Sequence, residues 1–352
     1  MKRVRLVDVA EVAGVSTKTV SNVVHDYPHV APELRRRVQA AIDKLGYRPN
    51  LTARRLVTGR TGMIALAIPE IDHPYFSELS RQIAEEAARR NYRVIIEQTL
   101  GKLDAEHAVL EDREAGLVDG IIFHPVSIGA LSIAKLHHDT PLVLLGEGAM
   151  PATSDHVMID NVAAAAEAVH FLLRQGRRRI AFLGVVEDDV TFSTDKRLLG
   201  YQQGLIEAGL DPDPGLVLSV RDFSSEASGE AVRAALDRGV SIDGIVCRDD
   251  KFAAGALRAC AAAGISVPDG IAVLGWDDTA IGRYTTPSLT SVAPDKSALA
   301  STALELLTER IDGFRGVGRH RIVPHGLTIR GSTPSVSAAL AVPQGEPAVP
   351  SA

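Results

Sequence analysis

The sequence has little cysteine, no long apolar run and no familiar catalytic motif, and each shortage excludes something. Of 352 residues only Cys247 and Cys260 are cysteine. They fall on different predicted elements, in neither a CxxC nor a zinc-ligand pattern, so a disulfide scaffold is excluded and a reducing compartment is expected. No apolar run approaches the roughly 18 residues a membrane span needs, so no membrane partner is expected. The start, MKRVRLVDVA, is basic but lacks the apolar stretch of a secretory signal, which points to a cytoplasmic location. GxSxG, HExxH, a Walker A loop and a strand-linked GxGxxG are all missing. GVGRHR near the C-terminus lacks the setting of a dinucleotide loop. The 11 histidines and the acidic pairs of VEDDV, CRDD and WDD lack ligand spacing. An enzyme is not expected, nor a metal or a cofactor.

What is present looks globular and soluble: 45% apolar and 23% charged residues, in a length that implies two or three domains. The net charge of −6 hides an asymmetry. Residues 1–60 hold 12 Lys/Arg against 5 Asp/Glu, net +7, while the rest holds 26 against 39, net −13. A basic head on an acidic body suits a polyanion-binding module fused to a soluble domain.

The head carries LVDVAEVAGVSTKTVSNVVH, from Leu6 to His25. Leu6, Val9, Ala10 and Ala13 give one helix face, Gly14 a left-handed stop, and Ser16 an N-cap for a second helix. Val15, Val20 and Val23 turn back onto the first helix, and Ala10 is small where the two must cross. This is the helix-turn-helix pattern. Its second helix fits a DNA major groove, with Thr17, Lys18, Ser21 and Asn22 outermost. Lys18 suits guanine O6/N7, Asn22 suits adenine N6/N7, and the Thr17 methyl suits a thymine methyl; a phosphate contact is the alternative for each. A third helix, APELRRRVQAAIDKLGY, has Pro32 first, Glu33 in its first turn and Gly46 as its stop. Its Val38, Ala41, Ile42 and Leu45 complete a small core. In RPNLTARRLVTGRTG, Asn50 can cap a short helix over residues 51–57, too short to be stable alone. Leu56, beside Arg54 and Arg55, is either a minor-groove wedge or part of a plain linker.

Residues 1–62 resemble the headpiece and hinge of the lactose repressor/galactose repressor family of bacterial transcription regulators. The residues that carry the resemblance are VDVAEVAGVSTKTVSNVV and LGYRPNLTARRL. It continues through DHPYF, DGIIFHP, VMIDN, RRRIAFLG, KRLLGYQQGL, DGIVCRDD, VPDGIAVLGWDD and LTIRGSTP, covering residues 3–334. The order and spacing of these segments make it specific. Arg5 and Ala31 stand where the family usually carries a helix cap, so both starts should be weaker, and Trp276 stands for a commoner Phe or Tyr. The resemblance implies DNA contacts at Ser16, Thr17, Lys18, Ser21, Asn22, Asn50, Ala53, Arg54 and Leu56.

The body alternates strands and helices, which implies parallel sheets covered by helices. Strands are expected in TGMIALAIPE, RVIIEQT and DGIIFHP, then in RRIAFLGVV, GLVLSVRDF, DGIVCRDD and IAVLGWDD. Helices are expected over residues 78–92, 104–117, 163–175 and 197–209, and in SGEAVRAALDRG and KFAAGALRACAAAG. Two such halves make a hinged pair of lobes. The expected fold is therefore α/β: a three-helix helix-turn-helix headpiece (residues 1–47), a hinge (48–61), a two-lobed doubly wound domain like a periplasmic binding protein (62–334), and a tail (335–352). That tail is rich in Pro, Ala and Ser and lacks heptads, which reads as disorder and favours a homodimer over a tetramer.

Ligands of open α/β sheets sit outside the carboxyl ends of strands. The candidates there are His73, Tyr75, Phe76 and His124 on the first lobe, and Arg197, Phe223, Asp249 and Asp277 on the second. The resemblance implies that these positions line an effector cleft, with the Arg197 and Asp277 positions bonding the ligand and the Phe223 position stacking on it. A carboxylate and a guanidinium can clamp vicinal hydroxyls while an aromatic face covers C–H surface, which suits a sugar. Other readings stay open: an interlobe salt bridge for Arg197–Asp277, core for Phe223, structural roles for His73, His124 and Asp249. The resemblance implies a dimeric repressor of carbohydrate-use genes on near-palindromic operator DNA, controlled by a sugar effector. The alternatives are a regulator answering to a non-sugar ligand such as a nucleobase, a stand-alone sugar-binding protein, and an enzyme that gained a DNA-binding domain. The basic headpiece and the lack of a leader count against the second, and the lack of a nucleophile or cofactor loop against the third.

Overall fold

The computed structural model describes residues 4–24, 27–47, 60–111, 116–136, 140–148, 151–186 and 192–334. Two compact units divide the chain, residues 1–61 and 62–352. Among the described residues no helix is long and apolar enough to cross a membrane.

The first unit contains α1 (Leu6–Ala13), α2 (Thr17–Val24) and α3 (Pro32–Leu45). Val9, Ala10, Ala13, Val20, Val23, Val38 and Ala41 are buried together, so the apolar spacing of all three helices converges on one core. Gly14 ends α1 at φ 63° and Gly46 ends α3 at φ 61°. The Ser16 hydroxyl accepts from the Thr19 N–H at 3.1 Å and so caps α2. Neither Arg5 nor Ala31 caps with its side chain; Arg5 instead donates its backbone N–H to Asp8 at 2.7 Å.

The second unit has two six-stranded sheets. In chain order the first contains β1 (Met63–Ile68), β2 (Arg93–Gln98), β3 (Gly120–Phe123), β4 (Leu142–Leu145), β5 (Asp155–Met158) and β11 (His320–Ile322). The second contains β6 (Ile180–Val186), β7 (Val217–Val220), β8 (Gly244–Cys247), β9 (Ala272–Trp276), β10 (Thr290–Pro294) and β12 (His325–Thr328). The orders are β11-β5-β4-β3-β1-β2 and β12-β10-β9-β8-β6-β7. All neighbours are parallel except β10 and β12. Doubly wound sheets of this kind need helices on both faces. These are α4 (Pro74–Arg89), α5 (Leu103–Leu110), α6 (Ala130–Leu136), α7 (Asn161–Arg174), α8 (Phe192–Glu207), α9 (Ser225–Asp237), α10 (Asp250–Ala262) and α11 (Lys296–Ile311).

The lobes are not two successive halves of the chain. Helix α11 packs on α4 and strands β3–β5 of the first sheet, and β11 pairs with β5, before β12 returns to the second sheet. Three segments therefore cross between lobes: those after β5, after β10 and after β11. Strands β4, β5, β10, β11 and β12, and helices α6 and α11, go beyond the sequence expectation. Helix α5 stops at Leu110 rather than Leu117, because Glu106, Val109 and Leu110 complete its buried face and Glu111 turns extended. Helix α4 begins at Pro74, four residues before the expected start, and α8 at Phe192 rather than Arg197.

Candidate functional site

Ser16, which caps α2, and Thr17 and Lys18 on it are exposed and Ser21 and Asn22 are half-buried, while Val20 and Val23 face the core. The polar face singled out in the sequence is thus a surface of the headpiece. Asn50, Ala53, Arg54 and Leu56 lie outside the described residues.

All eight cleft candidates meet in the second unit. They line one cavity of about 200 Å³ at the carboxyl ends of both sheets. The local reason differs for each. His73 is the N-cap of α4, its Nδ1 accepting from the Tyr75 N–H at 3.3 Å, so Tyr75 and Phe76 fall in the first turn and face inward. With Nδ1 an acceptor, Nε2 carries the proton and points at Asp249 of the other lobe, 3.5 Å away. Phe76 meets His124 edge-on, with ring centroids 4.9 Å apart. Asp249 caps α10 by accepting from the Phe252 N–H at 2.8 Å. Asp277 follows β9 at φ 93° and Asp278 at φ 43°, two successive non-glycine residues in the left-handed region. Such backbone persists only where the surroundings hold it.

Arg197 lies inside α8 rather than at a strand end. Asp277 is on the same lobe, 3.9 Å from it, so the alternative reading of an interlobe salt bridge between the two is not met. Arg197 Nε donates to Asn161 Oδ1 at 2.9 Å and Nη1 to the Arg248 carbonyl. Its guanidinium lies 4.3 Å above the Trp276 ring. Arg248 in turn lies 4.2 Å over the Phe223 ring and donates to Thr194 at 3.0 Å. Phe223 is half-buried, lines the cleft and also packs against the core of the second lobe.

The sequence reading missed Glu147, Asn161 and Arg248. Glu147 Oε1 accepts from the Asn161 N–H at 2.8 Å, and its Oε2 is buried without a partner. His124 Nδ1 is also buried and unpartnered. A buried polar atom left open toward a cavity marks where a ligand can bond. The signal for Glu147 and Arg248 was available: each lies within two residues of a strand end, β4 in PLVLLGEG and β8 in DGIVCRDD.

Burial sets the charges of the site. It pushes the carboxyl groups of Asp277 and Glu147 up, only partly offset by Arg197 for the first and by the bonds from Asn161 for the second. Burial acts the same way on Asp249, but His73 and Arg248 outweigh it and hold that carboxyl well below the usual range. Burial opposes the charged form of His73, yet its hydrogen bond and charge pairing with Asp249 raise its pKa. His124 is pushed down to about 4, chiefly by burial, and stays neutral. Among the described residues no group of three His, Cys, Asp or Glu side chains is placed to hold a metal. The cavity joins hydrogen-bonding acids and guanidinium groups to the rings of Phe76 and Phe223. That combination takes a small ligand with both hydroxyl and C–H faces.

Comparison with known proteins agrees with both units. Residues 5–50 match the bacterial regulatory proteins of the lacI family, and residues 169–333 match the periplasmic binding protein-like domain. The HTH-type transcriptional regulator CelR of Thermobifida fusca is 32% identical over 331 residues, covering 89% of this chain and 93% of its own. Among solved structures, a complex of transcriptional regulator CelR with cellobiose superposes with a TM-score of 0.69 at 27% identity, over 94% of this chain and 100% of that one. The lac repressor dimer bound to operator and the anti-inducer ONPF superposes with a TM-score of 0.83 at 25% identity, over 95% and 100%.

Proposed function

From the premise that this chain belongs to the lacI family of bacterial regulatory proteins, we propose that it is a cytoplasmic, homodimeric repressor of carbohydrate-use genes whose hold on operator DNA is set by a sugar in the lobe cleft. The chain is a DNA-binding transcription regulator by family. The operator is near-palindromic, because a two-fold dimer presents two equivalent α2 helices to two half-sites. Residues 1–47 read DNA, 48–61 form the hinge and 62–334 bind effector and partner subunit. Ser16, Thr17, Lys18, Ser21 and Asn22 contact the operator from the headpiece, and Asn50, Ala53, Arg54 and Leu56 from the hinge.

The observation that carries the sugar assignment is the state of the cations lining the cavity. Arg197 is bonded to Asn161 and to the Arg248 carbonyl, and Arg248 to Thr194 and Asp249. Each guanidinium already faces a buried carboxylate, Arg197 that of Asp277 at 3.9 Å and Arg248 that of Asp249 at 3.3 Å, so their charges are balanced and an uncharged ligand fits. The acids and the open atoms of Glu147 and His124 suit hydroxyl groups, and the Phe223 ring suits a C–H face. The binding of cellobiose by CelR supports the same class. The sugar shifts the lobes only by its different affinity for their two arrangements, and the dimer carries that shift to the headpieces.

A thermal-shift screen of neutral mono- and disaccharides against the full chain tests this, since binding to the folded state raises Tm. At least one sugar should raise Tm and change operator affinity in fluorescence anisotropy. Stabilisation by nucleobases or sugar phosphates alone would replace the sugar assignment.

A further inference from the structure

The turn that carries the Asp277 carboxylate is pinned group by group. The Asp278 N–H donates to Ser291 Oγ at 2.9 Å, and the Asp278 carboxylate accepts from Arg330 at 2.6 Å and Thr328 at 3.1 Å. Thr279 gives its N–H and hydroxyl to Asp250 at 2.6 and 2.8 Å. All of these partners lie in the second lobe. The next residue is held from the other side: the Ala280 N–H donates to Glu78 Oε1 at 2.7 Å, and Glu78 is on α4 of the first lobe.

The second oxygen of Glu78 is engaged as well. Lys296 Nζ donates to Glu78 Oε2 at 2.6 Å, and also to the carbonyls of Asp277 and Asp278 at 2.7 and 3.1 Å. Lys296 opens α11, directly after the crossing from β10, so its ammonium sits where the lobes join. The two carbonyls it holds belong to the two residues at positive φ. Lys296 and Glu78 are only 14% and 26% exposed, so water screens their charges weakly.

We propose that Glu78 and Lys296 are positioning residues that tie the turn from Asp277 to Ala280 to the first lobe, so that lobe closure and the placement of the Asp277 carboxylate are set together. The inference rests on the cleft being the effector site, and it names how the chain holds that site in its closed form. Opening the lobes separates Glu78 from Ala280, and Lys296 then loses the acid that balances its grip on the strained carbonyls. Closure restores all of these bonds at once, which makes the turn a two-state element rather than a continuously deformable one.

Trp276, the only tryptophan, lies beside Asp277 and is fully buried, so its fluorescence reports on the cleft without effector or operator. Acrylamide quenching would be measured on the full chain, on E78Q, on K296M and on the double variant, with circular dichroism as the check on folding. E78Q keeps an acceptor for Ala280 but turns a neutral group to Lys296. Each single variant should raise the quenching constant by about twofold or more, as an opened population grows. The double variant should add little to either single, because one tie is broken only once. Parent-like quenching in folded E78Q would overturn the proposal even if K296M failed to fold, and so would effects that simply add. Failure of every sugar to bind would overturn the effector reading and leave this result intact.

Discussion

Arg197 Nη2 lies 3.9 Å from Asp277 Oδ1, although both side chains are almost fully buried. That is too long for a hydrogen bond. The guanidinium is held by Asn161 and the Arg248 carbonyl, and the carboxylate by its own strained backbone, so neither can close the gap. Hydroxyls of a ligand can bridge it. Asp277→Asn should therefore lower sugar affinity tenfold to hundredfold, since bonds to charged groups contribute about 1.5–3 kcal/mol each. Arg197→Ala should lose as much affinity and some stability, because it leaves Asn161 and the Arg248 carbonyl unpaired. Operator affinity without sugar should stay near the parent value in both. Anisotropy titrations with and without the sugar from the thermal screen give the comparison, and a parent-like sugar response would remove both residues from the site.

Lys18 stands exposed on α2, with no hydrogen-bond partner among the described residues. Lys18→Ala should weaken specific operator binding by about 1–3 kcal/mol and relax base choice at one symmetric position. An equal loss on operator and on random DNA would make Lys18 a phosphate contact instead.

Gly14 holds the turn between α1 and α2 at φ 63°, and Arg37 donates to the Ala13 carbonyl beside it at 2.7 Å. A Cβ at Gly14 would lie 3.1 Å from the Arg37 guanidinium, which is flexible enough to move. The backbone is the obstacle: an alanine in the left-handed region costs about 1–2 kcal/mol. Gly14→Ala should lower the headpiece melting transition and leave that of the second unit unchanged. A shift in the second transition would contradict the division of the chain into two units.

The headpiece was legible because its signals are local. Gly14, Ser16, Pro32 and Gly46 each act within a few residues, and Val9, Val20 and Val38 repeat at helical spacing. Seven of the eight cleft candidates lie shortly after strands, and that position is local too. What escaped depends on distant partners. Strand β11 is three residues long with all of them exposed, and it exists because β5 offers it an edge. Helix α11 was not expected from the sequence, and nothing in LASTALELLTERI says that it packs on α4, more than 200 residues earlier. Arg197 was placed at a strand end because the start of α8 is polar, in FSTDK, and reads as loop. Glu78 and Lys296 drew no notice, since a lone acid and a lone lysine far apart in the chain carry no pattern until the lobes meet.

The response of the second unit to acid follows from its buried histidines. His156 is fully buried, its Nε2 on the Gly146 carbonyl and its Nδ1 without a partner among the described residues. Burial pushes its pKa down to about 4. His124 is likewise pushed to about 4, first by burial. In the unfolded chain both titrate near 6.5. Between pH 6.5 and 4 the unfolded chain takes up protons that the fold refuses, so stability falls as pH falls through that window and is level above it. Asp250 works the other way. Burial raises its carboxyl to about 7, against the bonds from Ser291 and Thr279 and with help from the Asp277 charge. It is protonated in the fold across the same window, which adds stability as pH falls. Across this window the two histidines lose stability with acid, while Asp250 gains it, as do Asp277, Glu147 and His73, whose protonated forms the fold also favours. Thermal unfolding of the full chain at pH 7, 6 and 5 gives the change of the second-unit Tm with acid. His156→Gln removes one of the two histidines that lose, so the change in its Tm from pH 7 to pH 5 should be more favourable than the parent's. Asp250→Asn removes one of the groups that gain, so that change should be less favourable than the parent's. The comparison rests on slopes rather than on absolute Tm, so a uniform loss of stability in either variant leaves it readable. Slopes equal to the parent's in both variants would assign the acid response to other groups.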